Sequence, residues 1–222
     1  MSKHLERELE QIRADLVDQF GLVEQMLQLA VRALMERRAE FVSQVIDTDS
    51  KVDQGDLRIE EECMKILALH QPVATDLRWL ITVVKVNSEI ERMADLACNV
   101  AERAKSLDLF PLFPIPEEMR EMSVAATDMV RRALDSFIEG DAGKAADVIR
   151  SDELVDTLNR VIIDQLHEIM KDDPEQIEPA VHCFSASRHL ERIGDLAENI
   201  SEEVIYLVDG EIVRHQHNLF ID

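Results

Sequence analysis

The sequence predicts an all-α protein built as two tandem three-helix bundles related by internal duplication. Residues 91–104 read ERMADLACNVAERA and residues 191–204 read ERIGDLAENISEEV, so Glu, Arg, Asp, Leu, Ala, Asn and Glu recur at matched places one hundred positions apart. Gly and Pro number six each in 222 residues, fewer than a fold rich in strands and tight turns consumes. Apolar residues make up 46% of the chain and aromatics only 4%, which suits helix-on-helix packing by Leu, Ile, Val, Ala and Met.

Each helix follows from its own spacing and punctuation. Leu5, Leu9, Ile12, Leu16, Phe20, Val23, Leu27, Ala30 and Leu34 step by three or four, one continuous apolar face over a first helix at 3–37, with Ser2 as its N-cap. A second helix is expected over 40–69. Pro72 should stop it and open a third at 73–107, because proline is tolerated in a first helical turn but not in an interior. Residues 108–116, DLFPLFPIP, form the only Pro-rich stretch and read as a link packed on the surface. Three further helices are expected at 117–139, 142–171 and 175–208, broken at Gly140 and at Asp172-Asp173-Pro174. The second and fifth also match: residues 45–53 read VIDTDSKVD and residues 148–156 read VIRSDELVD, at an offset of 103. The organisation is therefore a first bundle over 1–107, a link over 108–116, a second bundle over 117–210 and a tail over 211–222. Long amphipathic helices joined by short loops pack as up-down neighbours.

Charge and cysteine content exclude several classes. The net charge of −22 repels phosphate backbones and anionic lipid, which argues against nucleic-acid binding and leaves metal cations or a basic partner. Cys63, Cys98 and Cys183 have no C-x-x-C spacing and an odd count, against a disulfide framework or thiolate zinc site and in favour of a reducing compartment. The first residues, MSKHLERELEQ, lack the apolar region of a signal peptide, and the longest nearly apolar run, 79–84, is far too short for a membrane span. A soluble, cytoplasmic protein without direct membrane insertion is expected. A homodimer is left open.

The repeated polar residues carry the functional reading. On the third helix Glu91, Asp95, Asn99 and Glu102 fall within about 80° of one another, a narrow stripe away from the apolar seam. Glu191, Asp195, Asn199 and Glu202 repeat it on the sixth. Asp49 and Asp53 on the second helix, and Asp152 and Asp156 on the fifth, are again four apart. If antiparallel neighbours bring these pairs together, the carboxylates repel unless protonated or neutralised by cations. Such oxygen-rich sets suit Mg, Ca, Mn or ferric iron. Two plainer readings compete: acids that merely solvate an exposed face, and a salt-bridge network in which Arg92 and Arg192 neutralise the charge. Both arginines sit one position after an acid and are expected to point elsewhere.

Other chemistries find no support. None of the seven histidines has a Glu three residues before it, as a ferritin-like di-iron centre needs, and no Walker loop, G-x-S-x-G or H-E-x-x-H is present. His182 and His189 share a face near Glu191 and read as partly buried helix histidines.

The chain resembles the PhoU family, accessory regulators of bacterial phosphate-specific transport, over nearly its whole length. The resemblance rests on residues 68–78, ALHQPVATDLR, with Glu91 to Glu102, and on residues 188–195, RHLERIGD, with Asn199-Ile200 and Tyr206-Leu207. It implies two three-helix bundles related by a pseudo-twofold. It also implies multinuclear metal clusters, of iron or zinc in some members and with manganese added by the oxygen-rich donor set, held by Asp49, Asp53, Glu91 and Asp95 and by Asp152, Asp156, Glu191 and Asp195, with Asn99, Glu102, Asn199 and Glu202 as second candidates. Many members have His where this chain has Leu196, which weakens a zinc assignment. The implied function is non-enzymatic negative regulation of phosphate uptake and starvation signalling, linking the ATPase subunit of the phosphate ABC transporter to a sensor histidine kinase. The alternatives are a metal-dependent hydrolase of phosphate compounds and a purely structural helical adaptor.

Overall fold

A computed structural model describes residues 3–210 and 213. The Ser2 cap lies outside the described residues, as does the tail apart from Val213, whose side chain is buried. Six α-helices follow in order: α1 (Lys3–Glu36), α2 (Glu40–His70), α3 (Ala74–Leu107), α4 (Glu117–Glu139), α5 (Ala142–Asp172) and α6 (Ile177–Asp209), with one 3-10 turn at Pro174–Gln176 before α6. The described residues contain no strand. α1, α2 and α3 pack on one another, as do α4, α5 and α6, and α3 joins α6 in the main contact between the two groups.

The breaks have local causes. Gly140 and Gly210 end α4 and α6 at φ +65 and +77, the left-handed region that glycine enters without Cβ strain. Asp141 caps α5 by accepting a bond from the Lys144 N–H at 3.0 Å. Pro72 does not open α3 as expected. It lies outside the helix, between Gln71 at φ +46, which caps α2, and Val73, which is extended ahead of Ala74. Proline disfavours αR for the residue before it, so Gln71 leaves the helical region and Pro72 cannot follow directly into a new turn.

One apolar core runs through both groups, from Leu16, Leu27 and Ile59 through Ile90 and Met93 to Met119, Ile162 and Ile193. Phe20 of α1 meets Phe137 of α4 edge to face at 5.9 Å between centroids. Along the α3–α6 seam Arg78 donates to the Leu207 carbonyl at 3.4 Å, and Lys85 pairs with the buried Glu203 at 3.1 Å. Near the far end of α3, Arg103 and Glu102 act on His189. Early residues of α3 thus meet late residues of α6, so the two helices run antiparallel, and Asp95 faces Asp195 at the pseudo-twofold.

The Pro-rich link is fixed by Arg37. Its Nη1 donates to the carbonyls of Leu107 (2.8 Å) and Phe110 (3.0 Å), and its Nη2 to that of Phe113 (2.6 Å). The Phe113 ring is buried, in keeping with a link that packs rather than floats. Replacing Arg37 with Ala leaves three partly buried carbonyls short of a charged donor. We expect Arg37→Ala to lower stability by about 1–3 kcal/mol in urea denaturation, with Arg37→Lys recovering little because ammonium lacks the planar fork.

Candidate metal centre

The repeated acids come together across two equivalent seams. Between α2 and α3, Asp49 is raised above its ordinary pKa first by burial and then by the charges of Asp53 and Asp95. Glu91 is raised by burial, then by Asp95, Asp56, Asp53 and Asp49. Between α5 and α6, Asp152 is pushed up to about 7 by burial, then by Glu198, Asp195, Asp156 and Glu191. Glu198 is pushed up to about 7 by burial, then by Glu202, Asp195 and Asp156. Asp195 and Glu191 are raised as well, mainly by burial. All eight principal acids therefore sit in two mutually repelling groups.

The second-choice residues divide. Glu202 acts on Glu198 at the end of its group. Glu102, exposed and 3.6 Å from Arg103, acts in the same way on Cys98 at the end of the first group. Asn99 and Asn199 instead line a cleft of about 310 Å³ on the pseudo-twofold, with Arg92, Asp95 and Leu96 and their counterparts Arg192, Asp195 and Leu196. The Asn99 amide donates to the Asp95 carbonyl of its own helix at 2.9 Å. Arg92 and Arg192 do not point elsewhere; they share this cleft with Asp95 and Asp195, because the antiparallel α3–α6 crossing turns both flanks of the stripe towards the axis. Arg192 and Arg188 lower the Asp195 pKa, though less than burial raises it. Arg188 also bonds Glu191 at 2.7 Å. The salt-bridge reading thus holds in part, and it leaves both groups with raised carboxylates.

Three members were not singled out from the sequence. Asp56, one turn beyond Asp53, receives the Asn87 amide at 2.6 Å and acts on Glu91. Cys98 bonds the Asp49 carboxylate, and burial with that charge pushes its thiol up to about 12, a neutral donor. Glu198 occupies the position matching Cys98. Cys98 and Glu198 each lie three residues beyond the paired Asp, hence on the same stripe. All three positions differ between the halves, so identity across the repeat does not mark them. The halves keep five carboxylates each by different routes: the fifth is Asp56 on α2 in one and Glu198 on α6 in the other, where Asn159 replaces the Asp56 match.

The donor sets fit cations on two observations. Asp49 Oδ1, Asp152 Oδ1 and Glu191 Oε2 are buried oxygens without a hydrogen-bond partner among the described residues, an expensive arrangement that coordination would relieve. Gly194 opens the way for Asp152: a Cβ there would stand 3.3 Å from Asp152 Oδ1. The second group is all oxygen, suited to hard cations, while the first adds the Cys98 sulfur. His189 is not part of either group. Its Nε2 lies 3.2 Å from Ser185 Oγ, and burial with Arg103 and Arg192 holds its pKa down.

The pH dependence of the metal-free protein follows. Carboxylates whose folded pKa is raised contribute stability below their unfolded values near 4 and lose it as pH rises through the folded values. In chelator, the melting temperature should fall between about pH 5 and pH 8. Asp152→Asn should remove part of that fall and melt higher than the wild type at pH 8. A melting temperature that does not fall over this range, or a destabilised Asp152→Asn, would contradict the electrostatics described.

Known proteins place this architecture. The family model of the PhoU domain matches twice, at residues 16–104 and 119–204. A Pseudomonas putida protein named phosphate-specific transport system accessory protein PhoU homolog is 39% identical over 97% of this chain and 84% of its own. The crystal structure of PhoU from Pseudomonas aeruginosa superposes with a TM-score of 0.91 at 39% identity, covering 93% of this chain and 99% of that one. The phosphate transport system regulatory protein PhoU from Streptococcus pneumoniae superposes at 0.87 with 29% identity, covering 94% and 99%. These relatives bear the names of accessory and regulatory proteins, not of enzymes. Twin acidic seams on a duplicated three-helix frame, a double match to the PhoU domain and full-length structural agreement together make this chain a non-enzymatic member of the PhoU family.

Proposed function

We propose that the protein is a negative regulator of phosphate uptake and phosphate-starvation signalling, acting in the cytoplasm between the ATPase subunit of a phosphate ABC transporter and a sensor histidine kinase. The names of its relatives support the transport half of this reading. No described helix is long and apolar enough to cross a membrane; on this reading, contact with the transport system is made through partners. Linking two proteins in a phosphate-dependent way needs surfaces whose affinities differ between two states.

The observation that carries the site's role is the pair of carboxylate groups with buried, unpartnered oxygens. Iron, manganese or zinc would be held by Asp49, Asp53, Glu91 and Asp95, with Asp56 and Cys98 beside them, and by Asp152, Asp156, Glu191, Asp195 and Glu198. A bound cation supplies positive charge that replaces protons and fixes the α2–α3 and α5–α6 seams. The surface offered to a partner then depends on occupancy. The residues themselves bind and orient; none is paired as a nucleophile with a base.

Two measurements test this. Affinity capture from phosphate-replete cells should recover an ABC-type ATPase and a histidine kinase, and less of at least one from starved cells; recovery of neither would overturn the partner assignment. Loaded with manganese, the protein should carry more than one metal per chain, and Asp49→Asn with Asp152→Asn should lose most of it. Unchanged metal content in that double variant would rule out these ligands.

A further inference from the structure

A second kind of metal donor set lies away from both acidic seams. His4 and Glu8 stand one turn apart on α1, and His70 is the last residue of α2. Because α1 and α2 are antiparallel neighbours, the beginning of one meets the end of the other. His70 Nε2 lies 2.7 Å from Glu8 Oε2, and His4 Nε2 lies 3.5 Å from Glu8 Oε1. One nitrogen from each histidine and a Glu8 oxygen all fall within 4.8 Å of one another.

The short approach is an ion pair without hydrogen-bond alignment. His70 Nε2 and Glu8 Oε2 are buried, yet neither has a hydrogen-bond partner of acceptable alignment. The Glu8 and His70 side chains are mostly covered, 17% and 19% exposed, while His4 is 73% exposed and closes the site from the solvent side. The two rings meet edge-on, 5.8 Å between centroids and 65° between planes, so both can aim a nitrogen at one centre. Ligand atoms at about 2.0–2.1 Å from a tetrahedral zinc stand about 3.3 Å apart; the His4–Glu8 spacing of 3.5 Å is already close to that, and the His70–Glu8 spacing of 2.7 Å must open by a fraction of an ångström to admit the ion.

We propose that His4, Glu8 and His70 form a site for a borderline divalent cation of the zinc class, with three protein ligands and one position open to water. Two imidazoles and one carboxylate select zinc, cobalt, nickel or copper over magnesium and calcium, which prefer oxygen throughout. The site does not belong to the duplicated design. α1 has 34 residues against 23 in α4, and His4 and Glu8 lie on this additional length. The position matching His70 in the second half is Asp173, beyond the end of α5. A cation here would clip the start of α1 to the end of α2, independently of the acidic groups.

The test uses untagged full-length protein, stripped of metal and dialysed against zinc with excess magnesium to occupy the oxygen sites. Wild type should retain one zinc equivalent that His4→Ala and His70→Ala both lose, while Asp49→Asn with Asp152→Asn retains it. Cobalt in place of zinc should give the visible bands of a four-coordinate, nitrogen-ligated ion in wild type and not in His4→Ala. His4 is exposed, so that variant should keep the wild-type circular dichroism, which separates ligand loss from misfolding. Equal zinc content and equal cobalt spectra in wild type and both histidine variants would overturn the site. Loss of this zinc in the aspartate double variant alone would assign it to the acidic seams instead.

Discussion

Five carboxylates held against one another across a helix seam is the constraint from which the rest of this structure follows. Helices α2 and α3 must pack to bury Val52, Ile59, Ile90 and Met93, and the same packing presses Asp49, Asp53 and Asp56 against Glu91 and Asp95. Apolar burial of this kind contributes about 1.5–3 kcal/mol per large side chain, enough to hold like charges in place, but it cannot remove their repulsion. Protons, nearby arginines and cations are the available remedies. Arg188 takes the second of these roles at Glu191, and Cys98 donates to Asp49 in the first seam. Asp152 and Glu198 are both pushed up to about 7, first by burial and then by the neighbouring carboxylates, which favours protons or cations there.

Duplication turns that local constraint into a global arrangement. Because α3 and α6 run antiparallel, the two seams lie on either side of a pseudo-twofold, and Asp95 and Asp195 contribute both to their own groups and to the cleft between them. The Lys85–Glu203 pair and the hydrogen bond from Arg78 to Leu207 tie the helices along this axis. A change in charge on one seam therefore acts on a helix that also lines the shared cleft. In a regulator, such a connection lets occupancy at one place alter the surface offered at another, provided a partner distinguishes the two states.

Much of this was legible in the chain. The three- and four-residue apolar steps, Gly140, Asp141 and the Pro-rich run fixed the helices to within a residue or two, and the hundred-residue repeat exposed the principal acids. What stayed hidden had physical reasons. Pro72 looked like the opening of α3, but its effect on Gln71 moved the helix start to Ala74. Glu198 and Cys98 differ between the halves, so the repeat does not mark them although both sit on the acidic stripe. The direction of Arg92 and Arg192 depended on how α3 crosses α6, which helical spacing cannot supply. His4 and Glu8 stood visibly one turn apart, but His70 joins them only through the folded meeting of α1 and α2.

The account is tested most directly by following individual carboxyl carbons by NMR through a pH titration of the metal-free protein, then repeating it with a stoichiometric diamagnetic divalent cation. Asp152 and Glu198 should release their protons near pH 7 without metal, and at clearly lower pH once the cation is added. Release near pH 4 in both titrations, with no response to the cation, would show that the acidic seams are ordinary solvated surface and would contradict the account.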